Sequence, residues 1–109
     1  MTDKIVIFST CRTEGDARRI ATHLVDQRLA ACVNILHGAT SVYRWKGAVR
    51  FGVECLLIIK SRRDLLGKIE HEFASIHPYE VPELIAIPIV DGSRAYLDWL
   101  GIELPDGAQ

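Results

Sequence analysis

The sequence predicts an α+β domain in which two β-α-β halves interleave, so that an antiparallel sheet carries two helices on one face. Three observations point there. β-Rich runs alternate with amphipathic stretches in the order β-α-β-β-α-β, followed by a short terminal helix. The two central β runs are joined by Lys46-Gly47, a pair suited to a tight hairpin turn. A length of 109 residues supplies one core and one domain, with no repeat, linker or low-complexity segment to divide it.

The elements follow in order. Ile5-Val6-Ile7-Phe8-Ser9-Thr10 is a first strand, apolar enough to be covered on both faces. Thr13-Glu14-Gly15-Asp16 is a helix start, with acids at the positive end of the helix dipole. Ala17, Ile20, Ala21, Leu24, Val25 and Leu29 recur at helical spacing opposite Arg18, Arg19, Asp26 and Gln27, which predicts an amphipathic helix of about four turns. Ala31 to Leu36 returns as a second strand, and Ser41-Val42-Tyr43-Arg44-Trp45 resumes it after His37-Gly38-Ala39-Thr40. Gly38 inside that pattern predicts a bulge or bend.

Val49 to Lys60 is the returning strand. Its first part, Arg50 to Glu54, alternates and predicts a half-exposed or interfacial segment; Cys55 to Ile59 is wholly apolar and predicts a central one. Ser61 is placed to cap a second helix, with Leu65, Leu66, Ile69, Phe73 and Ile76 inward and Arg62, Arg63, Lys68, Glu70 and Glu72 in water. Pro78 ends it. Leu84 to Val90 is a fourth strand, and Pro88 assigns it to an edge or a bulge. Asp91-Gly92-Ser93 turns into a helix over 94–100. The order is that of the ferredoxin-like split βαβ fold. Its core runs from about residue 4 to 101, and 102–109 reads as a loose tail.

Composition removes whole classes of function. Apolar residues make up 49% and charged residues 25%, which excludes disorder and fibrous structure. Thirteen basic against fourteen acidic residues leave a charge of -1, so no electrostatic footprint for nucleic acid exists. Apolar runs of about five residues fall far short of the roughly 20 a membrane span needs. Three cysteines, without a CxxC pair and without a secretory leader, predict reduced thiols and a cytoplasmic protein. Cys32 and Cys55 sit in apolar runs and read as core thiols.

A hairpin carrying Tyr43, Trp45 and Phe51 is long for a domain of this size, and its free edge invites pairing. We therefore expect an oligomer, the alternative being a hairpin folded back on its own domain.

Four segments carry a resemblance: Leu29-Ala30-Ala31-Cys32-Val33-Asn34, Ser41-Val42-Tyr43-Arg44-Trp45-Lys46-Gly47, His77-Pro78-Tyr79-Glu80-Val81-Pro82-Glu83 and Tyr96-Leu97-Asp98-Trp99. Taken in this order, from about Ile5 to Leu100, the chain resembles the CutA divalent-cation tolerance proteins. The resemblance implies a ferredoxin-like subunit in a homotrimer similar to PII signalling proteins, sealed by sheet edges of neighbouring subunits. It also implies a binding or signalling role in tolerance of copper and other divalent cations, without catalysis and without a required cofactor.

The family's proposed metal site uses a Cys near the end of the first strand and a His-His pair before Pro-Tyr. Those positions hold Ser9 and Ile76-His77 in this chain. A direct copper(II) site would rest on His77 with a thiol, Cys11, if the chain bends to bring it near. The other reading of His77 is structural, bonding carbonyls at a helix end. Glu54, Lys60, His77, Tyr79 and Glu83, with Trp45, form a second candidate set. They line a cleft between subunits for a small charged ligand, or form a polar network that fixes the assembly. Trp45 and Trp99 also read as packing anchors. No P-loop, GxGxxG or Gly-x-Ser-x-Gly is present, so the chain is expected not to be an enzyme. A structural trimer displaying a partner-binding surface completes the alternatives.

Overall fold

A computed structural model describes residues 2–106. The elements are β1 (Lys4–Cys11), α1 (Glu14–Asp26), β2 (Cys32–Trp45), β3 (Ala48–Arg62), a 3-10 turn (Arg63–Leu65), α2 (Leu66–Ile76), β4 (Ile85–Pro88) and α3 (Arg94–Glu103). The strands form one antiparallel sheet in the order β2-β3-β1-β4. This is the predicted split βαβ topology, with β4 at an edge where Pro88 needs no second ladder.

Alternation along β1 and β3 decides which face is the core. Ile5, Ile7, Ser9 and Cys11 of β1, with Cys55, Leu57, Ile59 and Ser61 of β3, are buried beneath the helices. α1 supplies Ala17, Ile20, Ala21 and Leu24, and α2 supplies Ile69 and Phe73. The neighbouring positions Val6, Phe8, Leu56 and Ile58 lie on the other face, beside Leu36, Ile85 and Ile87, which remain about half exposed. Among the described residues, no helix is long and apolar enough to cross a membrane.

Local chemistry explains the predicted turns. Thr13 caps α1 by accepting from the Asp16 N–H at 3.0 Å. Gly38 has φ +77 and sits in the register break of β2 between Leu36 and Ala39. Lys46 and Gly47 both have positive φ, 50 and 81, as a two-residue hairpin of this hand requires. Ser93 caps α3 through the Tyr96 N–H.

Other expectations are corrected. Ser61 does not cap a helix. β3 continues through it, its hydroxyl donates to the Leu29 carbonyl at 2.6 Å, and α2 begins only after the 3-10 turn. Arg62 is not on a wet face; it is 7% exposed, with Nε donating to Asp64 at 2.7 Å and a second nitrogen to the Asp106 carbonyl. Val25 lies off the buried stripe of α1 and is exposed. The fourth strand is four residues long rather than seven. The expected tail is partly structured: α3 runs to Glu103 and Leu104 is buried. Positions 107–109 of that tail lie outside the described residues.

The molecule measures 44 × 26 × 23 Å, and the long axis reflects a hairpin of 14 and 15 residues. Its distal half outruns the helices. Val42, Val49, Phe51 and Val53 continue the helix-side face with no helix above them, and Phe51 is 75% exposed. The opposite face of the same half carries Ser41, Tyr43, Arg50 and Glu54, and there the site forms.

Candidate functional site

Three segments line a cleft of about 930 Å³: the hairpin, the passage from the end of β1 into α1, and the connection 78–83. The hairpin contributes Ser41, Tyr43, Trp45, Arg50 and Glu54; the end of β1, the turn after it and the start of α1 contribute Thr10, Arg12 and Asp16; the connection contributes Tyr79, Glu80 and Glu83. Two prolines, Pro78 and Pro82, stiffen that connection.

Glu54 and Tyr79 form the floor. The Tyr79 hydroxyl donates to Glu54 Oε2 at 2.6 Å. Burial alone would push the Glu54 carboxyl up, but bonds donated by Ser41, Tyr79 and Thr10, helped by the Arg12 charge, hold it below its ordinary value. It is therefore an anion near neutral pH. Burial, and then the Glu54 carboxylate, drive the Tyr79 phenol well above its ordinary range, so it stays a donor. Among the described residues, no lysine or arginine stands within ion-pair distance of Glu54.

His77 positions this floor from behind. Its backbone closes α2 by donating to the Phe73 carbonyl. The residue is 7% exposed; its Nε2 donates to the Thr10 carbonyl at 2.9 Å, and Nδ1 accepts from the Tyr79 N–H at 3.1 Å. This arrangement fixes the neutral imidazole with its proton on Nε2. Burial lowers its pKa, the Thr10 bond opposing. The Tyr79 ring meets it edge-on, with centroids 4.8 Å apart. One side chain thus ties the 78–83 connection to β1.

The candidate residues divide accordingly. Trp45, Glu54, Tyr79 and Glu83 come together around the cleft, and His77 braces it. Lys60 is not brought to this cleft within the chain. It is paired with Asn34, and it lies six positions along β3 from Glu54, roughly 20 Å at strand rise. Arg12, Arg50, Ser41 and Tyr43 are additions to the predicted set. Arg12 directly follows β1, and Tyr43 and Arg50 are cross-strand partners in the hairpin.

The copper(II) arrangement expected from His77 and Cys11 does not fit this geometry. Both ring nitrogens of His77 are already engaged. Cys11 is fully buried with Sγ turned toward the Thr13 carbonyl at 3.7 Å, and burial followed by the neighbouring Cys55 pushes its thiol up to about 11. The family's cysteine position holds Ser9, whose hydroxyl is buried under the helices. Among the described residues, no group of three or more His, Cys, Asp or Glu side chains is placed to hold a metal.

Fold and cleft together define a ferredoxin-like α+β domain with a polar cleft beside a protruding hairpin. Residues 5–103 match the model of the CutA1 divalent ion tolerance protein family. The chain is 48% identical over 95 residues to the divalent-cation tolerance protein CutA of Thermus thermophilus, spanning 87% of this chain and 92% of that one. It superposes on a solved Cut A1 structure from the same organism with TM-score 0.91 and 45% identity, covering 94% of this chain and 99% of that chain. It is also 45% identical over 96 residues to the chloroplastic CutA of Arabidopsis thaliana, covering 88% of this chain and 53% of that protein. The chain belongs to the CutA1 divalent ion tolerance family.

Proposed function

We propose that this chain is a non-catalytic binding protein of divalent-cation tolerance, that it works as a cytoplasmic homotrimer, and that the Glu54–Tyr79 cleft takes up its ligand. The observation that carries the reading is the Glu54 carboxylate. It is ionised, fixed by hydroxyls, free of an ion pair among the described residues, and faces a cleft rimmed by Tyr43 and Trp45. A site so built favours a cationic ligand, a metal ion with its waters or an organic cation.

The trimer is supported by two sets of exposed apolar groups, one on the β2–β3 hairpin and one on the edge strand β4. Val42, Val49, Phe51 and Val53 stand on the hairpin, and Ile85 and Ile87 on β4. Unlike surfaces that complement each other head to tail give a ring when the rotation between copies closes, as a threefold rotation does. Three free thiols and a charge of -1 support the cytoplasm. A second reading, a structural trimer displaying a partner surface, is favoured by α3, where Tyr96, Trp99 and Ile102 share one exposed helical face.

Native mass spectrometry of protein purified from cells grown with added copper(II) tests the cleft. The reading expects a mass above that of the polypeptides, lost in Glu54→Gln. Bare polypeptide in the wild type, or the same excess mass in Glu54→Gln, overturns it.

A further inference from the structure

Cys11 and Cys55 are direct partners across the β1–β3 ladder, and both side chains lie buried on the helix side. Opposed residues in an antiparallel pair have Cα atoms about 4.5–5.5 Å apart. That lies within the span a disulfide bridges. Both thiols are free.

The two thiols differ in what surrounds them. Cys11 has no measurable exposure, and its Sγ points at the Thr13 carbonyl. Cys55 keeps 5% exposure, and its Sγ lies 3.6 Å from Nδ1 of His37. His37 stands on the Gly38 bulge with its side chain 56% exposed, and the Glu14 carboxylate is 3.9 Å from the same nitrogen. Cys55 therefore has a base in contact and, through it, a route for a proton to water. A thiolate beside an imidazole is the reactive form of cysteine. Cys32 lies near Asn34, at 4.0 Å from its sulfur, and near the Tyr96 hydroxyl, with neither an imidazole nor a second thiol among its hydrogen-bond partners in the described residues.

We propose that Cys11 and Cys55 are a peroxide-sensitive thiol pair that closes into a cross-strand disulfide, Cys55 reacting first and Cys11 resolving it. In the first step His37 takes the Cys55 proton. The thiolate attacks hydrogen peroxide, the O–O bond breaks, and Cys55 sulfenic acid forms with release of one water once the proton is returned. In the second step the Cys11 sulfur attacks the sulfenic sulfur. The S–O bond breaks, the S–S bond forms, and the Cys11 proton leaves with the hydroxyl as a second water. Peroxide is reduced and the two thiols are oxidised. The pair stands independently of the cleft reading, although Thr10, Arg12 and Glu54, which adjoin the two cysteines in the chain, line the cleft.

The test exposes the purified full chain to excess hydrogen peroxide, then alkylates it under denaturing conditions and maps it by mass spectrometry. The expected product is lighter by two hydrogens, with the Cys11 and Cys55 peptides joined and Cys32 alkylated, and dithiothreitol reverses it. His37→Gln, at an exposed position, removes the base in contact with Cys55 and slows closure by about a hundredfold, the low end of what a positioned general base contributes. Its circular dichroism is unchanged. Cys11 and Cys55 both alkylated after exposure that oxidises glutathione in the same tube overturn the proposal. Closure in His37→Gln at the wild-type rate overturns the order of steps.

Discussion

The Tyr79 hydroxyl donates a 2.6 Å hydrogen bond to Glu54, joining the connection after α2 to the middle of β3 across 25 positions of chain. A bond to a charged acceptor in a partly covered cleft contributes more than an ordinary one. Tyr79→Phe is expected to lower stability by about 1–2 kcal/mol, measured by urea unfolding. The same variant raises the Glu54 carboxyl toward its ordinary value, visible by carbon NMR titration of that side chain. An unmoved Glu54 titration contradicts the arrangement.

His77 gives the fold a dependence on mild acid. Its pKa is lowered in the folded state, chiefly by burial, from an ordinary value of 6.5. The unfolded chain therefore binds the proton more readily, and folding loses stability as pH falls below 6.5 toward the lowered folded value. Above 6.5 that contribution is fully present. Urea midpoints measured from pH 7.5 to 5 should decline in the wild type more steeply than in His77→Gln, which has no group to protonate at this position.

Ser9 buries a hydroxyl under the helices with no hydrogen-bond partner among the described residues. Removing an unpaired buried polar atom relieves its desolvation cost. Ser9→Ala is expected to be neutral or to stabilise by up to about 1 kcal/mol in urea unfolding. A loss of 2 kcal/mol or so would indicate a hidden partner.

Gly38 holds the bulge of β2 at φ +77 with open space where a side chain would stand. Gly38→Ala therefore meets backbone strain and no crowding. Thermal unfolding is expected to show a loss of about 1 kcal/mol.

The legible parts of this molecule are those whose chemistry is local. Gly38 announced its bulge, Lys46-Gly47 its turn, Thr13 and Ser93 their helix starts, and Pro88 its edge strand, because each residue does its work within a few positions of itself. Ser61 was misread for the same reason. Beside Arg62, Arg63 and Asp64 it carries every local mark of a helix cap, and only the Leu29 carbonyl, 32 positions away, draws it into the strand and the core. The site follows the same division. The motif from His77 to Glu83 pointed to the cleft, but nothing in sequence spacing pairs Tyr79 with Glu54, aims His77 at Thr10, or separates Lys60 from the set by committing it to Asn34. Such relations arise from strand register, which is settled by the packed sheet as a whole.

The hairpin strip and the β4 edge are the surfaces through which copies of the chain are expected to assemble. A lone chain leaves Phe51 75%, Val53 66% and Ile85 55% exposed, on surfaces that no other element among the described residues covers. Size-exclusion chromatography with multi-angle light scattering tests this most directly. A trimer gives a mass three times the 12.2 kDa chain, collapsing toward a single chain in Phe51→Glu. A wild-type mass of 12.2 kDa would contradict it.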